Sequence, residues 1–182
     1  GIAGNATLEN PEHTAGLVLT RQNIPTYARG NGAAQGETFA SPAGVAKGGY
    51  VLAEAAKDGA TVPADVLLIA TGSEVQLAVQ AREALQAEGI AARVISMPFV
   101  EWFNKQDAAY RESVLPAAVK ARVSVEAGLA LGWREFVGDA GRSISLEHYG
   151  ASADYKRLFQ EFGITAEAVA AAAKDSLAGL QA

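Results

Sequence analysis

The sequence of 182 residues contains no cysteine. That single absence excludes a disulfide framework, a thiolate metal site, redox thiol chemistry and a cysteine nucleophile, and it permits a reducing cytoplasm. Histidine is nearly as scarce. His13 and His148 are the only two, so a histidine-rich metal site is excluded, and no pair has zinc spacing. Positive charge is the minority sign, with 15 Lys and Arg against 20 Asp and Glu, a formal net charge of -5 and a pI near 5.1. Such a chain lacks the broad basic face that non-specific nucleic-acid binding needs, so any anionic ligand must be held by local arginines. No apolar run approaches the roughly 20 residues of a membrane span, and the N-terminus has no basic and apolar signal pattern. A soluble, cytoplasmic protein that binds neither nucleic acid nor membrane is expected. Methionine occurs once, at Met97, and a chain beginning Gly1-Ile2-Ala3-Gly4 is expected to be a piece of something larger.

What is present is organised around Val66-Leu67-Leu68-Ile69-Ala70-Thr71-Gly72-Ser73-Glu74-Val75. A bounded aliphatic run without polar alternation suggests a strand buried on both faces, the parallel-sheet case. Thr71 with Glu74 and Ser73 with Gln76 both have capping-box spacing, which predicts a helix starting within a residue or two of Ser73. From there Val75, Ala78, Val79 and Leu85 share one face, while Gln76, Gln80, Glu83 and Glu88 lie on or near the other. Strand, glycine turn and capped helix is also the layout of phosphate cradles. Against that reading, the loop has one glycine where a dinucleotide fingerprint needs three, lacks a P-loop lysine, and sets Glu74 where a phosphate would meet like charge. A capped structural turn is the better account.

Along the rest of the chain, residues 1–14 show no sustained period. Gly16-Leu17-Val18-Leu19-Thr20 reads as a short strand with Arg21 at its C-terminal end. Residues 26–44 are rich in Gly, Ala and polar side chains with nothing to bury a face, which predicts a linker and a domain boundary near residue 44. Residues 49–53 could be helix by their Ala-rich tail or strand by their Tyr-Val core, with strand preferred, and further strands are expected at 92–98, ended by Pro98, at 121–126 and at 142–146. Helices are expected at 107–114, 154–162 and 165–177, with a short apolar segment at 128–137. This alternation predicts an α/β fold with an open, doubly wound, mostly parallel sheet and helices on both faces.

Glu126, Glu147 and His148 fall at predicted strand ends, where open α/β sheets bind ligands, although lone groups there are more often structural. Trp102, Phe103, Trp133 and Phe136 suit a core or an interface better than a stacking platform in so acidic a chain. Arg21 stands out as a forked, permanently charged donor fit for a phosphate, with a surface ion pair as the equal alternative.

Several segments, taken together and in order, resemble transketolase: Leu17-Val18-Leu19-Thr20-Arg21-Gln22-Asn23, Gly48-Gly49-Tyr50-Val51-Leu52, Ile69-Ala70-Thr71-Gly72-Ser73-Glu74-Val75, Arg93-Val94-Ile95-Ser96-Met97-Pro98, Lys105 through Pro116, and Val125-Glu126-Ala127-Gly128. They resemble the C-terminal part of that family across nearly the whole chain. The resemblance implies a transferase of the pentose phosphate pathway that moves two-carbon ketol units between sugar phosphates. It also implies thiamine diphosphate with Mg2+ (or Ca2+), at sites formed between the subunits of a homodimer. Residues 1–25 then correspond to the last piece of a pyrimidine-binding domain, 26–44 to a linker, and 45–182 to the C-terminal domain, whose sheet has one antiparallel edge strand. Neither the family's metal-ligand motif nor its activating glutamate is found in this sequence, so no catalytic, cofactor or metal residue is expected here, and the chain alone is expected to be inactive. The Leu-x-Arg-Gln match gives Arg21 a sugar-phosphate contact. The stretch from Asn31 to Ser41 is longer than the family's usual connection and carries no functional assignment. The alternative to an enzyme piece is a free-standing α/β module that binds a regulatory anion at Thr71 to Glu74 or holds a dimer together. A related thiamine enzyme, such as deoxyxylulose phosphate synthase or a 2-oxoacid dehydrogenase subunit, fits the Arg21 and Lys105 to Pro116 segments less well.

Overall fold

The computed structural model describes residues 2–9, 14–28 and 39–181. His13 and residues 31–38 of the long polar stretch lie outside the described residues. Five strands form the main sheet: β1 (Tyr50–Ala53), β4 (Val66–Ala70), β5 (Ala92–Ser96), β6 (Arg122–Val125) and β7 (Arg142–Ile144), in the order β1-β5-β4-β6-β7. β4 pairs in parallel with β5 and β6, β6 pairs in parallel with β7, and β1 runs antiparallel along β5 at the edge. The mixed sheet with one antiparallel edge strand is therefore as expected. Two short strands, β2 (Ala56–Lys57) and β3 (Ala60–Thr61), form a separate hairpin closed by Asp58 and Gly59, both at positive φ. That Asp-Gly pair is the mirror-image two-residue turn that matches strand twist.

Every residue of β4 is fully buried, and the side-chain alternation divides them between two cores. Val66, Leu68 and Ala70 face α2 (Val75–Ala87) and α7 (Ala166–Gly179), meeting Ala78, Val79, Leu85, Val169 and Ala173. Leu67 and Ile69 face the opposite layer with Ile95, Met97 and Phe103. This second layer holds α3 (Val100–Asn104), α4 (Ala108–Val114) and α5 (Arg134–Val137). Burying each aliphatic side chain contributes roughly 1.5–3 kcal/mol, so the central strand is the energetic axis of the fold. Phe103, Trp133 and Phe136 are core residues of this second layer, and Trp102, 8% exposed, is buried beside it and stacks on Phe99.

The helix starts use the expected residues in three places. Asp107 caps α4 by accepting from the Tyr110 amide, and Thr165 caps α7 by accepting from the Ala168 amide. Asp154 likewise caps α6 (Tyr155–Glu161) through the Lys156 amide.

Three expectations fail. Residues 2–8 form a helix, α1 (Ile2–Leu8), where no period was legible. Gly16 to Thr20 is not a strand: Leu17, Val18 and Leu19 are 57%, 95% and 74% exposed, and no partner strand lies beside them among the described residues. Strand propensity without a ladder to join and a face to bury does not produce a strand. Finally, the stretch 26–44 does bury apolar side chains. Phe39 is 6% exposed, lies tilted against the half-buried Tyr27 with ring centroids 4.5 Å apart, and packs in the α2/α7 core, while the Ala40 amide donates to Leu52 O.

Candidate functional site

In an open parallel sheet the ligand crevice forms where neighbouring strands send their connections to opposite faces. Here that point lies between β4 and β6. β4 leads through a single 3-10 turn, Gly72–Glu74, into α2 on one face, while β6 leads through Ala130–Trp133 into α5 on the other. Two carboxylates sit at this junction, Glu74 on the β4 side and Glu126 just beyond β6.

The capping boxes expected at this turn are not formed. Thr71 makes no side-chain cap bond, and the helix begins after Glu74. Instead Ser73 Oγ donates to Glu74 Oε1 at 2.7 Å, and Gln76 Nε2 donates to Ser73 O at 3.0 Å. A 3-10 turn between strand and helix shifts the register by which the spacing was read, so the polar groups pair with nearer neighbours. Glu74 is 6% exposed and Ser73 is 7% exposed. Across the crevice, Trp133 Nε1 donates to Glu126 Oε2 at 2.7 Å, which makes Glu126 a hydrogen-bonded structural group.

Burial pushes the Glu74 carboxyl above its ordinary value of 4.5, and the Glu126 charge adds to the rise, against hydrogen bonds from Ser73 and from its own backbone amide. The folded chain thus holds the Glu74 proton at a pH where the unfolded chain has released it. Glu74 therefore contributes its stability below the ordinary value and loses it as pH rises through the folded value. Glu74→Gln, which keeps the shape and removes the charge, is expected to gain stability relative to the parent chain between about pH 4 and about pH 7. Urea denaturation at the two pH values checks this, and an equal stability difference at both counts against a desolvated carboxylate.

The other sequence candidates are dispersed. Glu147 is exposed beyond β7 and accepts from the Ala130 amide at 2.9 Å; that bond and one from Ser145 hold its carboxyl below the ordinary range. His148 is exposed, with Nδ1 2.8 Å from Tyr149 O and its ring edge-on to Phe162. Neither joins the crevice in a shared hydrogen-bond network.

Arg21 lies on the irregular segment 14–28, in a bend rather than at a strand end. It is exposed, and no hydrogen bond or ion pair among the described residues engages its guanidinium, which leaves the surface ion-pair alternative without a partner there. It lines a cleft of about 700 Å3 with Gln22, Asn23 and residues 153–156, including Lys156. The segment is tied to the crevice one residue on, where Gln22 Nε2 donates to Ser73 Oγ at 3.0 Å. That tie was invisible in the sequence, because the two residues are 51 positions apart and Ser73 had a closer reading as a cap.

Among the described residues no cluster of three or more His, Asp or Glu could hold a metal ion. The acidic crevice also repels a diphosphate. The described residues therefore do not fit thiamine diphosphate with its metal. What they form is a sheet end with a buried polar turn, tied by Gln22 to the segment that carries the exposed Arg21.

Fold and crevice define an open α/β domain with one antiparallel edge strand and a buried polar turn at its switch point. The profile of the transketolase-like TK C-terminal domain matches residues 48–165, and the chain belongs to that family. It is 53% identical over 162 residues to a transketolase of Mycobacterium leprae, covering 89% of this chain and 22% of that protein. It is 48% identical over 176 residues to transketolase 1 of Escherichia coli K12, covering 97% of this chain and 25% of that protein. Among solved structures, a Pichia stipitis transketolase mutant in complex with xylulose-5-phosphate superposes with a TM-score of 0.72 at 34% identity, over 88% of this chain and 21% of that one. The chain thus spans about a quarter or less of the length of these relatives.

Proposed function

We propose that this chain is the C-terminal portion of a transketolase, a transferase that moves two-carbon ketol units between sugar phosphates in the pentose phosphate pathway. The observation that carries the proposal is the family match across residues 48–165 together with 48% identity to a transketolase over 176 residues, a span that must include Arg21. Residues 1–25 are taken as the end of the pyrimidine-binding domain, 26–44 as the linker and 45–182 as the C-terminal domain. The linker is not loose throughout, since Phe39 and Tyr27 anchor it to the sheet.

In the parent enzyme, thiamine diphosphate with Mg2+ (or Ca2+) supplies the transfer chemistry at sites shared by the two subunits of a cytoplasmic homodimer. This chain contributes a scaffold and one substrate contact. Arg21 would grip the sugar phosphate with its forked donors, a role in binding and positioning.

Transketolase activity is expected from the full-length protein supplied with thiamine diphosphate and Mg2+, and none from the isolated 182-residue chain under the same conditions. A coupled assay with xylulose 5-phosphate as donor checks both. Ketol transfer by the isolated chain would overturn its assignment as scaffold, and an inactive full-length protein would overturn the enzyme.

A further inference from the structure

We propose that Ser73, backed by Glu74, is a positioning residue that presents Arg21 to a substrate phosphate by gripping the neighbouring Gln22. This rests on Arg21 being the phosphate contact of the parent enzyme. The segment that carries Arg21 has no secondary structure, and Leu17, Val18, Leu19 and Ile24 around it are all more than half exposed. An arginine whose neighbouring backbone is already held in place loses less conformational freedom on closing around a ligand, so a tie beside it strengthens binding.

Two anchors hold the segment to the sheet. Tyr27, six residues downstream, packs on Phe39 and the core. The other anchor is directly beside Arg21, where Gln22 Nε2 donates to Ser73 Oγ at 3.0 Å. The far end of the Gln22 amide is also engaged, because Thr20 Oγ1 donates to Gln22 Oε1. Both ends of the amide are thus committed, and its orientation is defined.

The polarity of this relay follows from counting protons. Ser73 has one hydroxyl hydrogen, and it goes to Glu74 Oε1 at 2.7 Å, which leaves an Oγ lone pair facing Gln22. Hydrogen bonds therefore run one way, from Thr20 through Gln22 and Ser73 to Glu74. An ionised or strongly polar acceptor at the end strengthens those before it. Ser73 and Glu74 are buried in the turn that leaves the fully buried β4, so the acceptor end of the relay is rigid and only its Gln22 end is exposed to motion. Neither residue reaches the Arg21 cleft, which is lined by Gln22 and its neighbours. Their influence passes through Gln22.

The test uses the full-length protein, with xylulose 5-phosphate and xylulose as paired substrates. Ser73→Ala is expected to raise KM for the phosphorylated sugar about 3- to 10-fold, the loss of one hydrogen bond, with a smaller change in kcat and no matching rise for xylulose. Ser73→Thr, which keeps the hydroxyl, is expected to restore the parent values. In an Arg21→Ala background, Ser73→Ala is expected to add nothing, because the group it positions is gone. Gln22→Leu removes the same tie from the irregular segment and is expected to give the same pattern if Ser73→Ala fails to fold. Equal shifts for both sugars, or a Ser73→Ala effect that persists without Arg21, would overturn the positioning role. The two proposals also fail separately. Arg21→Ala affecting both sugars alike overturns the phosphate contact and the positioning with it, whereas discrimination lost by Arg21→Ala but kept by Ser73→Ala and Gln22→Leu overturns the positioning alone.

Discussion

Gly48→Ala is expected to destabilise the 182-residue chain by about 3 kcal/mol or more, among the larger losses any single methyl group can cause here. Gly48 sits at φ +83 between the 3-10 turn Pro42–Lys47 and β1. A Cβ at this position would lie 2.3 Å from Phe103 N, 2.4 Å from Phe99 O and 2.8 Å from Trp102 C. All three are backbone atoms of α3 and the residue before it, so no side-chain rotation relieves the overlap. The Phe99 amide also donates to Gly48 O, which holds the two segments at this separation. Backbone conformation adds its own cost of roughly 1 kcal/mol for a non-glycine residue in the left-handed region. Gly59→Ala is the matched control: its φ is +78 and nothing lies within 4 Å of its Cβ position, so only the conformational cost applies. Urea denaturation of both variants separates the terms. A Gly48→Ala loss within about 1 kcal/mol of that of Gly59→Ala would show that α3 yields to the methyl group and that the close approach is not obligatory.

Arg21→Ala in the full-length protein is expected to lower kcat/KM for xylulose 5-phosphate about 10- to 100-fold, while changing that for xylulose by less than about 3-fold. The range follows from a charge-assisted, forked contact to a phosphate, and the selectivity follows because the unphosphorylated sugar offers that fork no charged partner. The loss should fall mainly on KM, since a contact remote from the reacting carbon is made equally in the bound substrate and in the transition state. Arg21→Lys is expected to recover part of it, because the ammonium keeps the charge and loses the planar fork. Equal losses for both sugars would place Arg21 in support of the fold. That outcome would be surprising for a side chain that is exposed and bonded to nothing among the described residues.

Much of the C-terminal domain was legible because its elements are specified locally. The run from Val66 to Ala70 has no polar residue and could be accommodated only with both faces covered, which is where it lies. Asp107, Asp154 and Thr165 announce helix starts because a short polar side chain can satisfy an amide within a few residues of itself. The Asp58-Gly59 hairpin was missed, although an Asp-Gly pair is a local turn signal. The antiparallel direction of β1, by contrast, came from resemblance, since nothing in Tyr50 to Ala53 encodes which way its partner runs.

Sequence alone also misjudged what depends on distant partners. Leu17-Val18-Leu19 has strand chemistry, yet a strand is a paired object, and no ladder meets it among the described residues. Phe39 lay in a polar, glycine-rich stretch whose composition argued against burial, and a single ring contact with Tyr27 placed it in the core. At the switch point, Ser73 and Glu74 had the spacing of a cap, and a 3-10 turn turned them into a buried pair bonded to each other and to Gln22. By itself the sequence determined the class of fold and the buried central strand, because these follow from residue chemistry and short-range spacing, and it singled out Arg21 as a candidate for a phosphate. Only the tertiary structure decided that Arg21 has no hydrogen-bond or ion-pair partner among the described residues and that its neighbour is tethered to a carboxylate-backed serine 51 positions away from Gln22, because long-range hydrogen bonds leave no periodic trace in the chain.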